Sequence, residues 1–201
     1  KMSDLALDYL EVKEEELKKY YTSWYLPYRG AQAWGRFRPI VERSQKKSDQ
    51  KKVDRVSKVT NLDANALILD IGCGKPTFLN ACYEKWKCNT LGIDFSDKGW
   101  RCNPDQFQNL NLETKEIKEL ALDLKPDLIS MWHYLEHDYQ PFENLNYLRK
   151  LSKTDTKLII EIPDFNSYTR RKYAENWAGW HTPRHTSLFS PENISILLKK
   201  T

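Results

Sequence analysis

Residues 66–77 read ALILDIGCGKPT and decide the fold, because a short apolar run is followed at once by a glycine turn. An apolar run of this length is typical of a strand that is buried on both faces of a parallel sheet. Gly72 and Gly74 then allow the chain to turn sharply and to approach a ligand closely, since neither has a Cβ atom. The segment therefore predicts a strand, a ligand-binding turn and the start of a helix.

The same alternation of apolar strands and amphipathic helices continues along the chain. Strands are expected at 66–71, 89–93, 127–131 and 157–162, and helices are expected at 77–86 and 142–151. This pattern predicts an α/β fold of the Rossmann-like type, with a doubly wound, mostly parallel sheet and helices on both faces. Residues 96–112 are a poor helix, and they are few for both a helix and a third strand.

The first 60 residues have a different character. We expect a helix at 4–20, an aromatic-rich stretch after it, and a basic amphipathic helix at about 41–59. The aromatic residues of this region are Tyr20, Tyr21, Trp24, Tyr25, Tyr28 and Trp34. They fit either a cap packed on the sheet domain or a lid over a substrate pocket. We therefore divide the chain into an N-terminal helical, aromatic-rich cap at 1–60 and a cofactor-binding domain at 61–201.

Composition limits the class of protein. The 201 residues are 40% hydrophobic and 30% charged, which is typical of a soluble globular chain. No apolar run approaches the ~18–20 residues that span a bilayer, and the start lacks the apolar core of a signal peptide, so a cytoplasmic protein is expected. Cys73, Cys82, Cys88 and Cys102 lack the spacing of a zinc site and are expected to be free thiols.

Asp94 strengthens the interpretation of the glycine turn. It ends the second strand, 20 residues after Gly74, where a carboxylate can accept hydrogen bonds from both ribose hydroxyls of an adenosine-containing cofactor. The turn departs from the dinucleotide fingerprint at its last position, and Asp70 would repel a pyrophosphate. The Asp70 carboxylate suits instead the ammonium group of S-adenosylmethionine. A glycine turn without a ligand is the remaining alternative.

These motifs resemble those of class I S-adenosylmethionine-dependent methyltransferases. LDIGCG at 69–74 and LGID at 91–94 are similar to the first two motifs of that class. DLISMWHYLEH at 127–137 and WAGWHTPRHTSLFS at 177–190 resemble segments of the branch that includes ubiquinone-biosynthesis-type O-methyltransferases. The resemblance covers about residues 66–200 and implies S-adenosylmethionine as the cofactor.

The resemblance also implies which residues bind that cofactor. They are Asp70, Gly72, Cys73, Gly74, Asp94, Phe95, Met131, Trp132 and His133. The glycine turn would contact the methionine half, Asp94 the ribose and Phe95 the adenine, while the loop after the fourth strand would lie under the reactive methyl group. The chain departs from the family at Pro76, where a third glycine is usual, and no final strand pair is expected after the last helix.

All four histidines fall in two loops that should lie at the carboxyl edge of the sheet. Methyl transfer to a hydroxyl needs the acceptor held in line and a group that takes its proton, and histidine suits this near neutral pH. His133, His181 and His185 are the candidate bases, and Arg184 can bind an acidic substrate group through two hydrogen bonds. His137 is expected to be structural or to form a pocket wall.

A metal site is the alternative use of these histidines, because the spacing H-x-x-x-H occurs twice. Two histidines four residues apart can share a metal ion when they lie on a helix. The pair at 181 and 185 encloses Pro183 and is not expected to be helical, and the pair at 133 and 137 lacks the H-E-x-x-H arrangement. We therefore expect no catalytic metal.

The expected activity is methylation of a small molecule by in-line transfer, on oxygen in preference to nitrogen or carbon. Two alternatives are a non-catalytic cofactor-binding scaffold of the same fold and an NAD-dependent oxidoreductase. A third is an RNA methyltransferase that uses residues 43–58, where seven basic residues stand against Asp49 and Asp54 in a chain of net charge +4. A charge run on a helix is more often a solvated face, so nucleic acid is the less favoured partner.

Overall fold

The computed structural model describes residues 13–22, 24–121 and 123–201. Its five strands are β1 (Leu67–Ile71), β2 (Asn89–Asp94), β3 (Asn111–Thr114), β4 (Leu128–Trp132) and β5 (Lys157–Glu161). They form one parallel sheet in the order β3-β2-β1-β4-β5. In this register Asp70 lies beside Gly92 of β2 and Ser130 of β4, so the carboxyl ends of three strands meet at one edge. The predicted doubly wound parallel sheet is confirmed.

Seven α-helices lie in the described part of the chain. They are α1 (Glu14–Leu17), α2 (Leu26–Arg29), α3 (Arg38–Val59), α4 (Thr77–Trp86), α5 (Pro141–Leu151), α6 (Tyr168–Tyr173) and α7 (Pro191–Lys200). Of the helix predicted at 4–20, residues 4–12 lie outside the described residues, and α1 continues into a 3-10 turn at Lys18–Tyr20. None of the described helices is both long and apolar enough to cross a membrane.

Helices cover both faces of the sheet, because side chains alternate along each strand. Ile68 packs with buried residues of α3 and α4, whereas its neighbours Leu69 and Ile71 pack with residues of α5. The first cluster includes Val53, Val56, Ile68, Phe78, Leu79, Cys82 and Leu128, and the second includes Leu69, Ile71, Ile93, Ile129, Met131, Leu145, Leu148 and Leu151. Each fully buried aliphatic side chain contributes about 1.5–3 kcal/mol, so these two clusters fix the helices on the sheet.

Helix α3 has one buried face and one charged face. Asp49, Val53 and Val56 are buried at helical spacing, and Lys52 beside them is half-buried. The other basic side chains of the predicted stripe are exposed: Arg43, Lys46, Lys47, Lys51, Arg55 and Lys58. Since α3 packs against the sheet core, it belongs physically to the sheet domain as well as to the predicted cap, and the boundary at residue 60 stays a prediction.

The link between β2 and β3 is irregular, as the poor helical pattern predicts. It contains two 3-10 turns, Asp97–Gly99 and Pro104–Phe107, and it ends in a strand of four residues. The first turn packs tightly on the glycine turn, because a Cβ atom at Gly99 would lie only 2.0 Å from the carbonyl oxygen of Gly74. The link therefore supports the glycine turn from the side.

Candidate active site at the carboxyl edge of the sheet

The glycine turn after β1 exposes backbone groups at the edge of the sheet. Gly72 and Gly74 have φ angles of 66° and 49°, in the region that L residues rarely adopt. A Cβ atom at Gly72 would come within 2.4 Å of the Tyr134 ring, whereas one at Gly74 would meet nothing closer than 4.0 Å. The amide of Cys73 donates to the carbonyl of Ile93 at 3.0 Å and ties the turn to β2. The turn is held rigidly, and its Gly74 side is open for a ligand.

Asp94 ends β2 directly beside this turn. Its Oδ2 accepts a hydrogen bond from the amide of Gly74, and its Oδ1 accepts one from the amide of Ser96, both at 3.0 Å. Burial raises the pKa of Asp94 to about 6, although these hydrogen bonds and one from the Tyr28 hydroxyl oppose the shift. The carboxylate is therefore oriented before any ligand binds.

Asp70 lies one layer deeper, near the end of β1. Its Oδ1 accepts a hydrogen bond of 2.6 Å from the hydroxyl of Ser130 on β4. Burial raises the pKa of Asp70 to about 7, against the opposing effects of Ser130 and the nearby charge of Lys52. This carboxyl group joins two strands and places negative charge, when it is ionised, at the base of the edge.

One cleft of about 1470 Å³ runs along this edge. The predicted site residues that line it are Asp70, Gly72, Cys73, Gly74, Asp94, Phe95, Trp132, His133, His181 and His185. Two predicted residues do not line it. The side chain of Met131 is fully buried in the core that faces α5, and Arg184 turns toward the carbonyl of Tyr20 and the ring of Tyr25. The volume is large enough for a cofactor and a second small molecule.

Aromatic residues of the N-terminal region close one side of the cleft. Tyr21 packs edge-to-face on Phe95, with 5.1 Å between the ring centroids, and Tyr28 is buried in the same cluster. Lys98 donates to the carbonyl of Tyr21 at 2.8 Å and holds this segment against the link after β2. Trp24 is 72% exposed, so the aromatic stretch covers the cleft through its tyrosines and not through all of its rings.

His133 follows β4 and lies between two carboxylates. Its Nδ1 is 3.2 Å from Oε1 of Glu136, and its Nε2 is 3.6 Å from Oε1 of Glu161. These two carboxylates raise the pKa of His133 to about 9, and His133 in turn lowers the pKa of Glu161 to about 2. The residue has a φ angle of 55°, which is strained for a side chain of this size. The two carboxylates therefore favour the protonated, cationic form of His133.

The other three histidines form a cluster, which we call the histidine cluster: His137, His181 and His185. The ring centroids of His137 and His185 are 4.6 Å apart, and the ring centroids of His181 and His185 are 4.9 Å apart. Burial lowers the pKa of His137 and of His181 to about 4 and also lowers that of His185. All three imidazoles are therefore neutral near pH 7.

Sequence reasoning did not single out Glu136 as a residue of the cleft, and it placed Tyr28 only within the aromatic cap. Glu136 is 1% exposed, and its Oε2 has no hydrogen-bond partner among the described residues. Its backbone carbonyl accepts hydrogen bonds from the amides of Thr186 at 2.8 Å and Ser187 at 3.1 Å. This contact joins the loop after β4 to the loop that carries His185. The only sequence signal was an acidic residue next to His137, and nothing local indicates the distant partner.

Comparisons with known proteins agree with this architecture. The profile of a methyltransferase domain matches residues 42–201, whereas no curated protein sequence matches the chain. A SAM-dependent methyltransferase from Archaeoglobus fulgidus is 22% identical with a TM-score of 0.59, over 77% of this chain and 67% of that one. A possible histamine N-methyltransferase from Thermotoga maritima is 19% identical with a TM-score of 0.63, over 89% and 80% of the two chains.

A third solved structure contains the demethylated cofactor. The plantazolicin methyltransferase, solved with SAH and a substrate analogue, is 18% identical with a TM-score of 0.58, over 93% of this chain and 77% of that one. Likeness at this level shows the fold, and the profile match over most of the chain shows the family. The open glycine turn and the oriented Asp94 carboxylate also fit a ligand that has a ribose. The chain therefore belongs to the methyltransferase-domain family, and it is a methyltransferase whose cofactor is S-adenosylmethionine.

Proposed function

We propose that the chain transfers a methyl group from S-adenosylmethionine to an oxygen atom of a small molecule held in the cleft. The observation that carries this proposal is that the glycine turn, Asp94 and histidines from two separate loops line the same cleft. The resemblance of segments 127–137 and 177–190 to ubiquinone-biosynthesis-type O-methyltransferases supports oxygen as the acceptor. The family match gives no support to an NAD-dependent oxidoreductase.

The residues around the glycine turn are proposed to hold the cofactor. Asp94 accepts hydrogen bonds from the ribose, Phe95 lies beside the adenine, and the backbone at 72–74 contacts the methionine half. The ionised carboxylate of Asp70 attracts the cationic ammonium group of the cofactor and keeps its hydrogen bond from Ser130. When bound, the cofactor supplies a methyl group on a sulfonium that departs as a neutral thioether.

The loops after β4 and β5 are proposed to form the acceptor side. His133 is held as a cation by Glu136 and Glu161, so it shapes the loop and does not take the proton of the acceptor. His181 and His185 remain the candidates that assist loss of that proton. The guanidinium of Arg184 lies 2.9 Å from Nε2 of His181. To bind an acidic substrate, it would have to leave this ring.

The N-terminal cap is proposed to exclude water from the transfer. Its tyrosines cover the cleft beside Phe95, and Tyr21 also reaches the histidine cluster, with its hydroxyl 2.9 Å from Nδ1 of His137. A covered site strengthens electrostatic interactions and protects the reacting groups from solvent. The cap thus connects the proposed cofactor side to the proposed acceptor side.

Calorimetric titration with S-adenosylmethionine and S-adenosylhomocysteine tests the cofactor site, with NAD as the control ligand. We expect micromolar binding of both sulfur compounds and none of NAD. Asp94→Ala is expected to weaken binding by about tenfold or more, since it removes hydrogen bonds to a charged group. Asp97→Ala, a matched change on the neighbouring turn outside the cleft, is expected to bind normally. Absence of cofactor binding by the folded wild type would contradict the proposal.

A screen with methyl-labelled cofactor then tests the acceptor. Small phenols, carboxylic acids, thiols and amines are offered separately, and the methylated atom is identified by mass spectrometry. Transfer to a phenol or a carboxylic acid supports oxygen methylation. Transfer to amines alone, or to RNA with a steep dependence on salt, would overturn the choice of acceptor and leave the cofactor site intact.

A further inference from the structure

We propose that His137, His181 and His185 form a binding site for one divalent transition-metal ion, for which zinc is the best match. All three residues line the same cleft as the glycine turn. It combines one histidine from the loop after β4 with two from the loop after β5. The expectation of no metal considered each H-x-x-x-H pair alone, and neither pair alone makes this site.

The distances between the ring nitrogens support a metal site. One nitrogen from each ring lies within 4.8 Å of a nitrogen from both others. Nδ1 of His181 and Nε2 of His185 are 3.3 Å apart. Two nitrogen ligands of a tetrahedral zinc ion, each at ~2.0–2.1 Å from the metal, lie at about this separation. Two ligands are therefore already at the required spacing, and the ring of His137 has to approach them for all three to bind one ion.

The hydrogen bonds on the outer side of two rings also favour metal binding. Nδ1 of His185 is 2.7 Å from the carbonyl oxygen of Gly179, and Nδ1 of His137 is 2.8 Å from that of Arg184. A carbonyl oxygen only accepts, so both Nδ1 atoms carry the hydrogen and both Nε2 atoms keep a lone pair. Histidines that bind metals usually donate their other ring N–H to a carbonyl or a carboxylate in this way.

Arg184 competes with a metal for the third ring. Its guanidinium donates to Nε2 of His181 at 2.9 Å, so in this structure the ring hydrogen is on Nδ1 and points to Nε2 of His185. For a metal to bind Nδ1, that hydrogen has to move to Nε2 and the guanidinium has to turn away. Metal binding would therefore release Arg184, and removal of the guanidinium should strengthen metal binding.

Three protein ligands leave one coordination position open, as in catalytic zinc sites. This consequence rests on the proposed function. An acceptor hydroxyl in the open position would lose its proton to solvent more readily. Its oxygen lone pair would then form the bond to the methyl carbon as the sulfur–carbon bond breaks, with that electron pair remaining on sulfur. The histidines would act together as ligands and not as separate bases.

Metal titration without cofactor tests the site itself. The full chain, stripped of metal with a chelator, is titrated with Zn²⁺ by calorimetry and with Co²⁺ by visible absorption. We expect one ion per chain and the spectrum of tetrahedral cobalt. His181→Gln and His185→Gln should each weaken Zn²⁺ binding by more than about tenfold. His133→Gln is the matched change of the histidine outside the cluster, and it should not weaken Zn²⁺ binding. Arg184→Met should bind Zn²⁺ more tightly than the wild type.

Several results would overturn the proposal. One is that the wild type takes up no Zn²⁺ at about 100 µM. Another is that His133→Gln and His185→Gln lose equal affinity for Zn²⁺. Should a variant fail to fold, NMR of the wild type decides, since Zn²⁺ should shift the ring signals of every histidine except His133. Binding of S-adenosylhomocysteine is measured in parallel. If it fails while Zn²⁺ binds, the proposed function is contradicted and the metal site stands.

Discussion

The hydroxyl of Tyr28 interacts with the carboxylate of Asp94 and lowers its pKa, so a residue of the N-terminal cap supports the group proposed to bind the ribose. Tyr28 lies in α2, which is 66 residues away in sequence, and it is 7% exposed. The same carboxylate accepts amide hydrogen bonds from Gly74 and Ser96. Cap and cofactor would therefore share one carboxylate, and closing of the cap would be linked to cofactor binding.

The first prediction concerns this shared carboxylate. Tyr28→Phe frees a lone pair of Asp94, so we expect S-adenosylhomocysteine to bind about fivefold more tightly at pH 8, since such a hydrogen bond contributes about 1 kcal/mol. The free energy of unfolding should fall by about the same amount. Calorimetry and urea denaturation measure the two effects, and Tyr20→Phe, at an exposed position, is the control. Weaker cofactor binding would show that Tyr28 assists the ribose contact.

The second prediction is a loss of cofactor affinity in acid. The pKa of Asp94 is raised by burial to about 6, and only the ionised form accepts hydrogen bonds through both oxygens. Affinity for S-adenosylhomocysteine should therefore fall by about tenfold between pH 7 and pH 5. Asp94→Asn should bind weakly and depend less on pH over this range, and the dependence that remains is assigned to Asp70, whose pKa is also raised. Equal wild-type affinities at the two pH values would disprove the assignment.

The third prediction concerns the buried Asp70. Its folded pKa of about 7 lies above the value of about 3.9 for an unfolded chain, so the folded state binds more protons between these values. The contribution to stability is thus present below about pH 4 and is lost as the pH rises through 7. Asp70 therefore lowers stability at pH 8 relative to pH 5, whereas the histidine cluster, whose pKa values are lowered by burial, acts in the opposite direction over the same range.

Asp70→Asn tests the origin of that pH dependence. The amide cannot ionise, so the free energy of unfolding at pH 8, relative to its value at pH 5, should be higher in the variant than in the wild type. The pH dependence that remains combines Asp94 and His133, whose pKa values are raised, with the histidine cluster, whose pKa values are lowered. Asp155→Asn, at an exposed position, should leave the stability difference between pH 5 and pH 8 unchanged. A variant that keeps the full wild-type difference would show that Asp70 is not its source.

The fourth prediction concerns the charge of His133. Glu161→Gln removes one of the two carboxylates that stabilise the imidazolium, so the pKa of His133 should fall from about 9 toward its ordinary value of about 6.5. NMR titration of the histidine ring protons measures this shift. Glu143→Gln, at an exposed position on α5, should not move it. A wild-type His133 that titrates near pH 6.5 would restore it as a candidate base.

The strands and the long helices were predictable because their signals are local. The predicted strand at 89–93 is observed at Asn89–Asp94, and the predicted helix at 77–86 is observed at Thr77–Trp86. Pro76 did not displace that helix, since a proline ahead of the first turn removes no helical hydrogen bond. The handedness of the crossovers is general for parallel sheets, whereas the strand order β3-β2-β1-β4-β5 was observed and not predicted.

The site was only partly predictable. The glycine turn and Asp94 lie at strand ends, where topology brings them to one edge. Met131 lies near the end of β4 at the same edge, but the alternation of side chains points it into the core. His137 was predicted to be structural or to form a pocket wall. It lines the cleft and lies against His185, because the carbonyl of Glu136 accepts a hydrogen bond from the amide of Thr186. A hydrogen bond over 50 residues leaves no trace in local sequence.

The sequence by itself determined the parallel sheet, the cofactor turn and the family resemblance, because apolar periodicity, glycine conformations and strand-end carboxylates are properties of short segments. Only the tertiary structure decided the position of Tyr28 on Asp94, the charge of His133 and the assembly of the histidine cluster. Those features depend on side chains from distant segments that meet in a buried, weakly screened environment. Such an environment exists only after the core has formed.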